Sequence, residues 1–167
     1  MTAQISERLL YDGRTLPLRS TPLTPFLQQH GKTDLFQMTS TANWRGYVGS
    51  WEIAEDRLYL VGLSGRLKDG STANLDTVFP QSSGRVFAAW YSGTLHIPEG
   101  ELLEYVHLGF ASRYERDILL DIQHGVLVSS AVQENERSAS GDNSATVPHG
   151  NGQKSLVARM MALILRR

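Results

Sequence analysis

Three stretches of the chain share one skeleton, and this repetition limits the fold more than any other feature. They surround Asp56, Gly100 and Gly125 and read "WEIAEDRLYL", "LHIPEGELLEY" and "LDIQHGVLVS". Aligned on those three residues, each has a large apolar residue five positions before, an isoleucine three before and a leucine two after. Apolar residues on both sides of a turn-forming residue are typical of a β-hairpin. The skeleton therefore predicts three hairpins and a β-rich fold.

The register of these hairpins follows from the length of the turn. With a two-residue turn, the predicted cross-strand pairs are Ile53 with Leu58, Ile97 with Leu102, and Ile122 with Leu127. All three pairs are apolar on both sides, so one face of each hairpin would be buried. A three-residue turn with a glycine bulge is the alternative, because Pro98 suits a type I turn, and it would shift the register by one. We expect positive φ at Gly100 and Gly125.

The spacing of the turns and the short helical patterns indicate the fold class. A fourth turn is predicted at Asp12 and Gly13, and the irregular spacing of the four excludes a repeat architecture. Helical patterns in the body are confined to "TPLTPFLQQ" and "STANLDTVF". We predict a mainly β fold, an antiparallel sheet of hairpins that forms a sandwich or half-barrel, with one or two short helices and a C-terminal helix. Gly93 interrupts the alternation of a β-rich run and predicts a bulge.

Charge divides the chain into a body and a tail. Residues 1–135 carry 11 Lys and Arg against 15 Asp and Glu, whereas residues 136–167 carry five against two. The first part of the tail, over 136–153, is rich in Ser, Asn and Gly, and such a composition does not bury enough apolar surface to fold. We therefore predict a β-rich domain over 1–135, a flexible linker over 136–153 and an amphipathic helix over 154–167.

The segment "SLVARMMALILRR" in the tail combines good helix formers with arginines near its C-terminal end, where they suit the helix dipole. Its apolar arc is too wide for a helix that stays in water. Three burials are open: docking on its own sheet, pairing with a second copy in an oligomer, or peripheral contact with a membrane surface. Its thirteen residues are too few to span a bilayer.

Composition excludes several classes of protein. The chain has no cysteine, which rules out disulfides, thiolate metal sites and a cysteine nucleophile. The stretch "MTAQISERLL" has neither the basic nor the apolar region of a signal peptide, so we expect a cytoplasmic location. The acidic body does not suit a nucleic-acid partner, because affinity for nucleic acid comes chiefly from basic phosphate contacts. We predict neither a metal nor a cofactor.

The enzyme hypothesis rests on scattered residues. The chain has no G-x-S-x-G, H-E-x-x-H or Walker motif. Glu104, His107 and Arg113 lie close together in sequence and supply the acid, base and anion-holding groups of a small metal-independent hydrolase or nuclease-like enzyme. In the predicted register, however, His96 lies about 13 Å along the strand from the position opposite His107. A closed pocket where Glu104, His107 and Arg113 converge would favour this hypothesis.

Clusters of aromatic residues and arginine support the competing hypothesis. They are "NWRGY", "AWYSG" and "SRYERD", and Trp, Tyr and Arg are the side chains that most often anchor interfaces. The candidate binding residues are Arg45, Tyr47, Tyr91, Arg113 and Tyr114. Trp51 occupies a repeated apolar position and is expected in the core. We favour a non-enzymatic protein-binding module, a regulator or an immunity-type inhibitor of a basic protein.

The stretches "STANWRGYVGSWEI" and "VFAAWYSGTLHIPEGELLEYVHLGFASRYERDILLDI" also carry a resemblance. Over residues 5–135 the chain is similar to a group of small uncharacterised bacterial proteins. The resemblance implies a bacterial, cytoplasmic protein. Because the group has no assigned activity, it implies no site residues, and the tail lies outside it.

Overall fold

The computed structural model describes residues 2–136 as a mainly β structure with two short helices. The strands are β1 (Glu7–Tyr11), β2 (Arg14–Leu18), β3 (Tyr47–Ala54), β4 (Arg57–Arg66), β5 (Thr72–Ala73), β6 (Val86–Phe87), β7 (Gly93–Glu104), β8 (Arg113–Gln123) and β9 (Val126–Glu134). The helices are α1 (Thr24–Gln29) and α2 (Leu75–Val78). These elements confirm the mainly β prediction and both short helices. The predicted C-terminal helix and nearly all of the linker lie outside the described residues.

All nine strands belong to one sheet. Its main path is β2-β1-β3-β4-β9-β8-β7, and β5 and β6 both pair with β4. Every pair is antiparallel except β1 with β3, which is parallel. The predicted antiparallel pairing is therefore present throughout the described sheet except at this pair. The chain between β2 and β3 contains α1 and a long loop, and a connection of that length can start β3 at the same end of the sheet as β1.

Three of the four predicted turns form two-residue hairpins. Their central residues all have the positive φ that a type I′ turn requires, and they are Asp12 and Gly13, Glu55 and Asp56, and His124 and Gly125. The predicted pairs of Ile53 with Leu58 and of Ile122 with Leu127 are both present.

The predicted hairpin at Gly100 is wrong. Strand β7 continues through Gly100, and Ile97 pairs with Ile118 of β8 rather than with Leu102. Gly100 has the predicted positive φ, of 87°, but it lies where the register of β7 against β8 shifts. A bulge and a turn both use a glycine at positive φ, so the shared skeleton does not distinguish them. The bulge predicted at Gly93 is also misplaced, since that residue is the first of β7.

The two ends of the strand path meet and curl the sheet. The backbone N–H of Arg19, directly after β2, donates to the carbonyl of His96 on β7 at 2.8 Å. The N–H of His96 donates to Ser20 Oγ at 3.0 Å, and Arg14 pairs with Glu99 at 3.1 Å. We call these contacts the β2–β7 seam. The inner face of the curled sheet is the core, and helix α1 contributes Leu27 to it.

Gly125→Ala is expected to lower the free energy of unfolding by at least about 2 kcal/mol. Gly125 has φ of 80°, and a Cβ there would lie 2.7 Å from the carbonyl oxygen of Ala88. Gly13→Ala is the matched control, because Gly13 has a similar φ of 72° with no atom within 4 Å of its Cβ position. It should lose only about 1 kcal/mol from backbone strain. Urea unfolding measures both, and equal losses would contradict the close packing at Gly125.

Candidate functional site

The three nominated catalytic residues do not converge in a closed pocket within the described part of the chain. Glu104 and Arg113 are cross-strand partners, with Arg113 Nη1 3.6 Å from Glu104 Oε2. His107 is exposed in the loop between β7 and β8, where its ring and that of Tyr105 form a T-shaped contact at a centroid distance of 4.5 Å. A cavity at the seam is lined by Arg113 but by neither Glu104 nor His107. The arrangement pairs an acid with an arginine and leaves the histidine apart.

The five nominated binding residues do not form one exposed face. Tyr47 and Tyr91 are 2% and 8% exposed, so their rings belong to the core. The side chain of Arg45 is 12% exposed. Arg113 and Tyr114 are half-buried at the start of β8, beside the seam. Most of this aromatic and arginine surface is therefore used inside the protein.

Arg45 belongs instead to a buried polar cluster around Glu7 on β1, and its guanidinium lies over the ring of Tyr47, with Cζ 5.6 Å from the centroid. Glu7 is 1% exposed, accepts a hydrogen bond from Trp51 Nε1 at 2.5 Å and lies 3.2 Å from Arg45 Nε. Burial raises the pKa of Glu7 to about 7, against the opposing effects of Arg45, the Trp51 indole and the Gly49 amide. Because protein atoms enclose the carboxyl, its contacts are part of the packing of β1 against β3, and it is not placed to contact a ligand.

Sequence reasoning missed Glu7, although one signal was available. Glu7 has the same parity as Leu9, and both side chains are buried on the inner face of β1. A carboxylate on the buried face of a strand lowers stability unless a cation or a hydrogen-bond donor pairs with it. The parity alone predicts that a cation or a hydrogen-bond donor faces it, but not which one.

The exposed feature that most resembles a binding site is one side of β9. Strand β9 pairs with β4 only through Arg57 and Val126, and the Leu127 N–H donates to Asp56 O at 2.7 Å. The two antiparallel strands meet at their first residues and then continue in opposite directions. Further along β4, Tyr59 and Leu60 pair with β6, and Gly65 and Arg66 pair with β5. Beyond Leu127, no strand of residues 2–136 pairs with β9 on that side.

The direction of the backbone groups along β9 follows from two hydrogen bonds. The N–H of Leu127 points to β4, whereas the N–H of Asn135 donates to Glu115 O of β8 at 2.8 Å. In a regular strand the N–H groups of Leu127 and Asn135, an even number of residues apart, would point to the same side. They point to opposite sides because the register of β8 against β9 shifts at Val128. The backbone groups directed away from β8 after the shift are those of Ser130, Val132 and Glu134. We call these groups the free edge.

The side chains of β9 do not protect the free edge. The sequence from Val126 to Gln133 contains no charged residue and no proline, the features by which proteins usually prevent edge pairing. Val128 and Val132 are 51% and 46% exposed. Chemically, the free edge offers backbone donors and acceptors beside exposed apolar side chains, which is the surface that an added β-strand requires. The sequence showed the absence of charges but not which side of β9 is uncovered.

Comparisons with family models, with curated proteins and with solved structures give no match for this chain. The structural observations therefore carry the functional argument alone. Within residues 2–136, no helix has the length and apolar character needed to cross a membrane. The same residues contain no group of three or more His, Asp or Glu side chains placed to hold a metal ion.

Glu7→Gln is expected to change how stability depends on pH. The folded state raises the pKa of Glu7 from 4.5 to about 7, so it binds the proton more tightly than the unfolded state. The stability gained from this tighter proton binding is complete below about pH 4.5 and is lost as the pH rises through 7. The free energy of unfolding should fall by about 3 kcal/mol over this range. In Glu7→Gln the fall should disappear. Chemical unfolding at several pH values measures it.

The exposed Glu101→Gln is the control, and it should keep the fall of the unmodified protein. If Glu7→Gln and the unmodified chain lose stability equally between pH 4.5 and 7, Glu7 is charged throughout and Arg45 outweighs its burial.

Proposed function

We propose that this protein is a non-enzymatic protein-binding module that adds an extended strand of its partner to the free edge of β9. The observation that carries the proposal is that β9 is uncovered beyond Leu127 while its side chains are uncharged up to Gln133. Such an edge is a template for pairing with another chain. Strand addition needs no catalytic group, which agrees with the separate placement of Glu104 and His107.

The free edge supplies affinity through its main chain and selectivity through its side chains. Ser130, Val132 and Glu134 each present one backbone donor and one acceptor, and each hydrogen bond formed contributes about 1 kcal/mol net. An added strand would also cover the exposed parts of Val128 and Val132. Apolar residues in the middle of the partner strand are therefore favoured.

Charges at the two ends of the edge select a basic partner. Glu134 and Glu136 lie where β9 ends, and Asp56 of the neighbouring turn lies where it begins. A strand with an apolar centre and flanking Lys or Arg complements both ends. A second copy of this chain fits less well, because antiparallel pairing of two β9 strands would bring Glu134 of one copy towards Asp56 of the other. Residues 1–135 carry 11 basic against 15 acidic residues, and this net negative charge also favours a basic partner.

Val132→Pro tests the proposal without breaking the pairing of β8 with β9. The N–H of Val132 points away from β8, so proline removes a group of the free edge and places its ring in the path of an added strand. Val132→Thr is the matched control, because it keeps the N–H and the branched shape. Partners are captured on the immobilised full chain with a photo-crosslinker at Ser130, then purified and titrated by calorimetry.

We expect Val132→Pro to raise the Kd at least tenfold and Val132→Thr to leave it within about twofold. Thermal unfolding of both variants checks that the sheet is intact. A captured partner that binds Val132→Pro as tightly as the unmodified chain would contradict strand addition. Crosslinks formed only between copies of the chain would show that the edge serves self-assembly instead.

A further inference from the structure

A cavity of about 290 Å³ lies at the β2–β7 seam. It is on the outer face of the sheet, since the neighbours of His96 along β7, Leu95 and Ile97, are fully buried in the core. Its lining includes Arg19, His96, Ser112, Arg113, Asp117 and Asn135. This site is separate from the free edge of β9, and the inference drawn from it does not depend on the proposed function.

Arg19 is held in place by the protein's own backbone. Its Nη1 donates to the carbonyls of Phe110, at 3.2 Å, and of Ser112. Its guanidinium also lies over the ring of Tyr114, with Cζ 4.7 Å from the centroid. These contacts fix the plane of the guanidinium before any ligand binds, which lowers the entropy lost on binding. A fixed guanidinium is the side chain best suited to a carboxylate or a phosphate.

Arg19 has no carboxylate partner in the described part of the chain. The ion pairs formed among residues 2–136 involve Arg14, Arg45, Lys68, Arg113 and Arg116 but not Arg19. A half-buried cation without a counter-ion is costly. An anion that enters from solvent would remove that cost.

The other charges on the wall limit the charge of the anion. Arg113 adds a second guanidinium, which is positioned by Glu104 at 3.6 Å and by the carbonyl of Glu136 at 2.9 Å. Asp117 is the carboxylate of the lining, and it accepts a hydrogen bond from Asn135 Nδ2 at 2.7 Å. Because Glu104 pairs with Arg113 and Asp117 offsets Arg19, these four side chains have no net positive charge and do not favour a dianion over a monoanion. A hydroxyl or amino group on the ligand would instead donate to Asp117.

We propose that the cavity binds a small organic carboxylate that also carries a hydrogen-bond donor. The carboxylate lies against Arg19 and Arg113, and the donor faces Asp117. The volume, about 290 Å³, is at the lower limit of ligand pockets and restricts the ligand to a small molecule. His96 also belongs to the lining.

The test uses glycolate, acetate and inorganic phosphate as probes of the full chain. Two-dimensional ¹⁵N NMR follows the Arg19 Nε–H and the backbone amides of Ser112 and Asn135. Glycolate should give saturable shifts at these three positions, with a Kd at least threefold lower than that of acetate. Phosphate should bind more weakly than glycolate. Shifts that do not saturate, or that spread evenly over the surface, overturn the proposal, and so does preferential binding of phosphate.

Asp117→Asn gives a readout that damage to the fold would not produce. Removing the negative charge should tighten the binding of acetate at least threefold and abolish the preference for glycolate over acetate. Arg19→Lys keeps the charge but loses the planar fork, and it should weaken both ligands at least tenfold. Arg14→Lys, at the seam but outside the cavity lining, is the control and should change neither. If Asp117→Asn weakens acetate, the assigned role of Asp117 is wrong.

Discussion

The hydrogen bond from the backbone N–H of Arg19 to the carbonyl of His96 is the contact on which the rest of this structure depends. It joins β2 and β7, the two ends of the strand path. With Ser20 and the pair of Arg14 with Glu99, it converts a sheet with two distant ends into a curved one with an inner face. Without that curvature, the apolar residues of β1 and β7 would have no common core to enter.

Closure at the seam has consequences on both sides of the sheet. At the seam itself, it brings the guanidinium of Arg19 to the start of β8, where the carbonyl of Ser112 holds it. On the other side, the sheet opens between β4 and β9, because these strands overlap at Arg57 and Val126 alone. The two candidate sites are therefore products of one curvature, although their chemistries differ. One is a small cavity with two arginines, and the other is a strand edge without charged residues from Val126 to Gln133.

The interior contains one unusual compromise between packing and charge. Glu7 occupies a core position where an apolar residue would cost less, and Arg45 and Trp51 supply its partners. These partners reduce the cost of burial without cancelling it, since burial still raises the pKa of Glu7. The cluster joins β1 to β3, which are parallel, unlike the other paired strands of residues 2–136. It also explains why Arg45 and Tyr47, which resemble interface residues in the sequence, are used inside the protein.

The sequence by itself determined the local conformations. The turns at Asp12–Gly13, at Glu55–Asp56 and at His124–Gly125 follow from residues that tolerate positive φ between apolar strands, and the burial of Ile97, Ile122 and Trp51 follows from their parity or from their repeated apolar positions.

Tertiary structure decided which strands pair and which edges remain open. It placed Gly100 within a strand rather than in a turn, made β1 and β3 parallel, buried Tyr91 and left one side of β9 uncovered. The physical reason is distance along the chain: φ at a turn depends on adjacent residues, whereas the partner of a strand depends on segments such as β2 and β7, which are joined only when the sheet closes.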